Sequence, residues 1–163
     1  MKLTLKMNNK EKIKVCRTTE GTIFEIALAV MLMVIGVLIA KMYVAAPDVV
    51  PTHFGATGEP NGWGSKSYVL IPCLVIAIGS IFLMISAYFP HKMNIPVEVS
   101  TPRQWALVVR LVRVMALDMA LLTLPIAFSS LSVEHHTALP IMAVTGLMFI
   151  TVIVFCVLIH KAR

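Results

Sequence analysis

Four long apolar runs, at residues 22–43, 67–89, 113–132 and 139–159, constrain this chain more than any other feature. Each is close to the roughly 20 residues that an α-helix needs to cross a hydrocarbon core of about 30 Å. Each is apolar around its whole circumference, so it suits a lipid or protein interior rather than the surface of a soluble core. Only 13% of the residues are charged, against about 25% in soluble domains. The expected fold is an all-α membrane protein, a four-transmembrane-helix bundle. Four spans occupy most of the 163 residues and leave no room for a soluble catalytic domain.

The distribution of basic residues orients the spans. Lys2, Lys6, Lys10, Lys12, Lys14 and Arg17 precede the first span; Lys92, Arg103, Arg110 and Arg113 surround the second connection; Lys161 and Arg163 follow the last. Only Lys41 and Lys66 flank the other side. The positive-inside rule then places both termini and the second connection in the cytoplasm. Residues 1–21 read as a basic cytoplasmic tail without regular structure, and residues 22–163 as the membrane domain. The net charge of +6 serves anionic lipid headgroups rather than nucleic acid. The 21-residue leader and the long first apolar run suit an uncleaved anchor better than a signal peptide. Cys16, Cys73 and Cys156 fall at unmatched depths, so free thiols are expected.

Local signals set the helix ends. Thr22 with Glu25 fits a capping box opening the first span. Thr101-Pro102-Arg103-Gln104 is a stronger start, with a cap, a proline in the first turn and a glutamine closing the box. Pro125 interrupts the third span, where Thr123, Ser129 and Ser130 can satisfy freed backbone groups. Ala77, Gly79 and Ser80 mark a close-packing face on the second span; the oligomeric state stays open.

The first connection is the most distinctive stretch. It holds four of the eight glycines, Gly55, Gly58, Gly62 and Gly64, together with Pro51 and Pro60 and the aromatic Phe54 and Trp63. The prolines, with Pro47, keep it non-helical, and Glu59-Pro60-Asn61-Gly62 fits a type I turn. An ordered outer loop between the first two helices, lying on the membrane interface, is expected. Its pattern is Val50-Pro51-x-His53-Phe54-x-x-x-Gly58-x-Pro60-x-x-Trp63-x-Ser65-Lys66, followed by Ile71-Pro72. This resembles the bacterial membrane domain of unknown function that forms the N-terminal part of SdpI-type immunity proteins. Asn94-Ile95-Pro96-Val97 resembles a segment that follows the domain in its short members. The chain departs from the pattern at Gly55 and Asn61, where many relatives carry Asn and Asp, and its four expected spans do not include the further membrane region of the full immunity proteins. The resemblance covers roughly the first three spans and implies the topology above. It also implies immunity or signalling against a membrane-active peptide at the outer face of a bacterial cytoplasmic membrane.

His53, Phe54, Gly58, Glu59, Trp63 and Lys66 are therefore the candidate contacts for a secreted peptide or an envelope protein. For Lys66, the bland alternative is an interface lysine extending toward water. Metal is a weaker reading: His53, His135 and His136 could join Asp48 and Glu59, but adjacent histidines point apart and no HxH or HExxH unit exists. The plainer reading is that His53 hydrogen-bonds its own loop. Asp118 is the sharpest polar residue within a span, and such residues usually serve a function or pair internally. Arg110 lies about 80° and about 12 Å from it along the helix, and Arg113 about 140° away. A partner on another helix, including Ser80 or Ser86, is as plausible. No catalytic constellation or phosphate loop appears. An enzyme is not expected, and no cofactor. The alternatives to a peptide-binding role are a small transporter, a metal-binding envelope sensor, or an accessory subunit of a larger membrane complex.

Overall fold

The structure, a computed structural model, describes residues 5–6, 14–95, 97–132 and 137–162. It is mostly helical, with four long helices and two short antiparallel ribbons. In the tail, β1 (Leu5–Lys6) pairs with β2 (Lys14–Val15), where no regular structure was expected. Thr18 then opens helix α1 (Thr19–Ala45), its Oγ1 accepting the Gly21 N–H at 3.1 Å. This cap satisfies one orphan donor of the first turn. The helix thus starts before the capping box expected at Thr22, and Glu25 serves other partners.

The first connection is a β-hairpin, which corrects the all-α expectation. Strands β3 (Val49–Phe54) and β4 (Pro60–Ser65) pair antiparallel, with an irregular register between Pro51 and Phe54. Val49, Val50, Thr52, Phe54 and Trp63 are residue types that favour strands. An isolated two-stranded ribbon has only edge strands, so Pro51 and Pro60 are tolerated. The turn expected at Glu59–Gly62 lies elsewhere. Asn61 and Gly62 are in β4, and the chain reverses between Gly55 and Gly58. There the Gly58 N–H donates to Gly55 O at 2.9 Å and the Gly55 N–H to Glu59 O at 2.8 Å. Gly58 has φ +84°, a conformation that glycine adopts without steric cost.

Helix α2 (Ser67–Ser86) leads to a 3-10 turn at Pro90–Lys92, and α3 (Pro102–Leu131) follows. The expected capping box of α3 is present: Thr101 Oγ1 accepts the Gln104 N–H, and Gln104 Oε1 accepts the Thr101 N–H at 3.0 Å. Helix α4 (Leu139–Lys161) follows. Three helices, α1, α2 and α4, are long and apolar enough to cross a membrane, as befits a multi-pass membrane protein. They expose large apolar side chains outward, including Met33, Phe82 and Phe149.

Helix α3 is the hub. It packs against each of the other three, whereas α1 and α2 barely touch one another. Its buried residues include Val108, Val112, Ala116, Ala120, Ala127 and Leu131, and also the polar Arg113, Asp118, Thr123, Ser129 and Ser130. Small side chains let neighbouring backbones approach closely, which suits Ala116 and Ala120 against Leu28 and Met84. Thr123 does not serve the backbone as expected: its Oγ1 is buried and has no hydrogen-bond partner among the described residues. The three cysteines are free, as expected.

Two glycines contrast a position with a backbone demand and one without. Gly58→Ala should lower stability by about 1–2 kcal/mol, because its left-handed backbone penalises any Cβ. Gly36→Ala should be neutral or stabilising by up to about 1 kcal/mol, since a Cβ there meets nothing within 4 Å. Thermal unfolding of both variants in detergent checks the contrast.

Candidate functional site

The hairpin is anchored to the bundle at three points. Val50 and Pro51 are fully buried, and Val50 packs among Ile39, Ala46, Val69, Ala127 and Leu131 from three helices. At the tip, the Ala138 N–H donates to Gly58 O at 2.9 Å. The two connections at this end of the bundle therefore meet through a backbone hydrogen bond.

Lys66 makes the third anchor. Its Nζ donates to Ala46 O at 3.1 Å, lies 3.2 Å from Asp48 Oδ1, and sits 5.0 Å from the Tyr43 ring centroid. A cation at the C-terminal end of α1 also complements the helix dipole. Lys66 thus joins α1, the hairpin and α2, and is neither a lysine extended into water nor an ammonium open to a ligand. Tyr43 OH and Ser67 Oγ reinforce the joint at 3.0 Å.

The other candidates divide. His53 Nδ1 hydrogen-bonds Asn61 Oδ1 across the hairpin, the plainer of its two expected roles. Glu59 is exposed and Gly58 is buried against Ala138. Among the described residues no group of three histidine, cysteine or acidic side chains comes together. Glu134, His135 and His136 lie outside the described residues. Trp63 stands 59% exposed on β4. Phe54 turns inward and, with Thr52, Tyr68, Pro72, Ser130 and Ile141, lines a cleft of about 360 Å³ between the hairpin and helices α2, α3 and α4. Tyr68 and Ser130 were not singled out for this site by the sequence. Tyr68 gave a signal only as an interface aromatic, and Ser130 reaches the cleft only through the packing of α3 beneath the hairpin.

At the opposite end, Arg110 and Arg113 turn toward α1 rather than toward Asp118. Arg110 Nε and Nη2 donate to the Glu20 carboxylate at 2.7 and 3.2 Å. Arg113 is 3% exposed, and its guanidinium rests against Gly21 and 5.8 Å from the Tyr88 ring centroid. Glu25 accepts from Tyr88 OH and, at 2.8 Å, from Arg17 Nη2. Sequence spacing along α3 alone missed these partners, because Glu20, Glu25 and Tyr88 lie far away in the chain. Asp118 does have an interhelical partner, but on α4: Thr151 Oγ1 donates to its Oδ2 at 2.9 Å. Ser80 and Ser86 instead donate to carbonyls of their own helix, Ala77 O and Leu83 O.

These contacts predict unequal costs. Lys66→Gln should loosen the hairpin by about 1–3 kcal/mol, since it strands a carbonyl that a charged donor now satisfies. Asp48→Asn should stay within about 0.5 kcal/mol, as expected of a surface pair, because the Asp48 side chain is 95% exposed. Hydrogen exchange of the hairpin amides distinguishes the two. Thr151→Val should cost about 1–3 kcal/mol by leaving buried Asp118 without its donor, while Asp118→Asn retains an acceptor and should cost less; thermal unfolding reads both.

Residues 29–76 match a family model described as a domain of unknown function (DUF1648). An uncharacterized protein of Archaeoglobus fulgidus is 34% identical over 62 residues, covering 33% of this chain and 34% of that protein. The chain thus matches about a third of that relative's length. No solved structure matches. The matched residues run from α1 through the hairpin into α2, which is the part that Lys66 ties together. Over residues 29–76 the chain is thus similar to the DUF1648 domain, the domain found in SdpI-type proteins.

Proposed function

We propose that this protein is a non-enzymatic, four-span protein of the bacterial cytoplasmic membrane whose hairpin faces outward. There it binds or excludes a membrane-active peptide or an envelope protein, in an immunity or signalling role. The observation that carries the reading is the anchored hairpin, with its aromatic cleft and with Trp63 exposed on β4. A connector that only joined two helices would have no need of three anchors. A prefixed surface binds without the ordering cost that a floppy loop incurs, and exposed tryptophan and tyrosine are frequent contact residues. In this reading Phe54, Tyr68 and Trp63 supply apolar contact. His53 and Asn61 hold the strands, Gly58 and Lys66 fix the hairpin's position, and exposed Glu59 offers charge at the tip. The basic residues of the tail and of the second connection support a cytoplasmic position for both termini.

Survival of a deletion strain against secreted membrane-active peptides tests the role. Wild type should restore survival; Trp63→Ala and Phe54→Ala, present at wild-type abundance in the membrane, should not. Full rescue by both variants would overturn the hairpin as the contact surface. Substrate flux that depends on Asp118 would instead favour transport, for which the buried Asp118–Thr151 pair is the structural ground.

A further inference from the structure

Where α3 begins and α4 ends, Arg103, Arg110 and Lys161 line one cleft of about 320 Å³ with Ala106, Leu107 and Leu158. We propose that this cleft is a binding site for the phosphate headgroup of an anionic phospholipid from the adjoining leaflet. Two of these three cations are not used up among the described residues. Glu20 neutralises Arg110, but Arg103 and Lys161 are exposed and have no carboxylate partner among the described residues.

Nor are they needed to cap the helix they flank. Basic side chains near a helix C-terminus commonly serve its last carbonyls. Here neutral groups already do so: Gln104 Nε2 donates to Ile159 O at 3.0 Å, and Thr101 Oγ1 to Ala162 O at 3.4 Å. Among the described residues two cations thus remain, facing the same cleft and available to an anion.

The rest of the lining selects the source of that anion. Ala106, Leu107 and Leu158 form an apolar side to the cleft. Beyond Leu158, α4 exposes Val157, Val154, Ile153, Ile150 and Phe149 along its length. A phospholipid has both a phosphate for the cations and acyl chains for this apolar track; free phosphate has only the first. Basic pockets between membrane helices near the surface hold anionic headgroups in this manner. The site lies at the opposite end of the molecule from the hairpin and does not depend on the hairpin's role.

The full chain, purified in a neutral detergent, can be titrated with phosphatidylglycerol, phosphatidylcholine or inorganic phosphate, with bound ligand followed by native mass spectrometry and thermal shift. Phosphatidylglycerol should bind about tenfold or more tighter than phosphatidylcholine. Arg103→Gln with Lys161→Gln should weaken phosphatidylglycerol roughly 10- to 30-fold, as expected for two surface cations. The pair should leave phosphatidylcholine binding and circular dichroism unchanged. Lys41→Gln, exposed near the other end of α1, should leave phosphatidylglycerol binding intact. Equal binding of the two lipids, or an equal loss in Lys41→Gln, would show a bulk charge effect and overturn the site. Protection by inorganic phosphate matching that by phosphatidylglycerol would also overturn it, in favour of a soluble phosphate ligand.

Discussion

Burial of the polar side chains of α3 is the constraint on which the structure depends. A helix that carries Arg113, Asp118, Thr123, Ser129 and Ser130 would be costly to expose to hydrocarbon. All five residues are buried, because α1, α2 and α4 each lay a face against α3. The three covering helices then carry the apolar exterior. Division of labour follows: one helix supplies specific polar contacts, and three supply the surface that a bilayer solvates. Packing of this kind draws on close approach and interhelical hydrogen bonds rather than on the hydrophobic effect, which is weak between helices already in lipid. Ala116 and Ala120 provide the approach, and the Thr151–Asp118 bond provides one of the links.

The hairpin closes one end of this arrangement. Val50 inserts among residues of α1, α2 and α3, Gly58 meets the start of α4, and Lys66 joins the end of α1 to the start of α2. The ribbon could not stand alone, since an isolated two-stranded hairpin is marginal in water. Packing on the bundle makes it a fixed surface, and its aromatic residues acquire defined positions. The other end is closed by charge instead: Glu20 with Arg110, and Glu25 with Arg17 and Tyr88, fasten α1 to α3 and to the end of α2. The molecule is thus apolar along its length, aromatic and shape-defined at one end, and ionic at the other.

Much of this was legible from residue order. The positions of α2 and α4, the start of α3 at Thr101 and the free cysteines follow from apolar run length, from the capping box and from cysteine placement. The ordered first connection was legible from its glycines and prolines, but its form was not. Pro60 suggested a turn at Glu59–Gly62, whereas the left-handed backbone at Gly58 places the reversal at Gly55–Gly58. That hairpin also docks on the bundle through Val50 and Gly58, contacts that lie outside the loop's own sequence. The start of α1 was misplaced for a related reason: Thr18 and Thr22 are both plausible caps, and Glu25, which would have closed the second box, is drawn to Arg17 and Tyr88.

By itself, then, the sequence determined that apolar helices dominate, where the polar residues interrupt them, and which connection is shaped rather than flexible. These are local properties, set by hydrophobic run length and by the backbone preferences of glycine, proline and capping residues. Only the tertiary structure decided that α3 is the central helix, that Asp118 bonds Thr151 while Arg110 bonds Glu20, and that Phe54 and Tyr68 share a cleft beneath the hairpin. Those outcomes depend on which helix faces meet. The Asp118 and Arg110 pairs join segments that lie 33 and 90 residues apart, so their partners are set by packing between those segments.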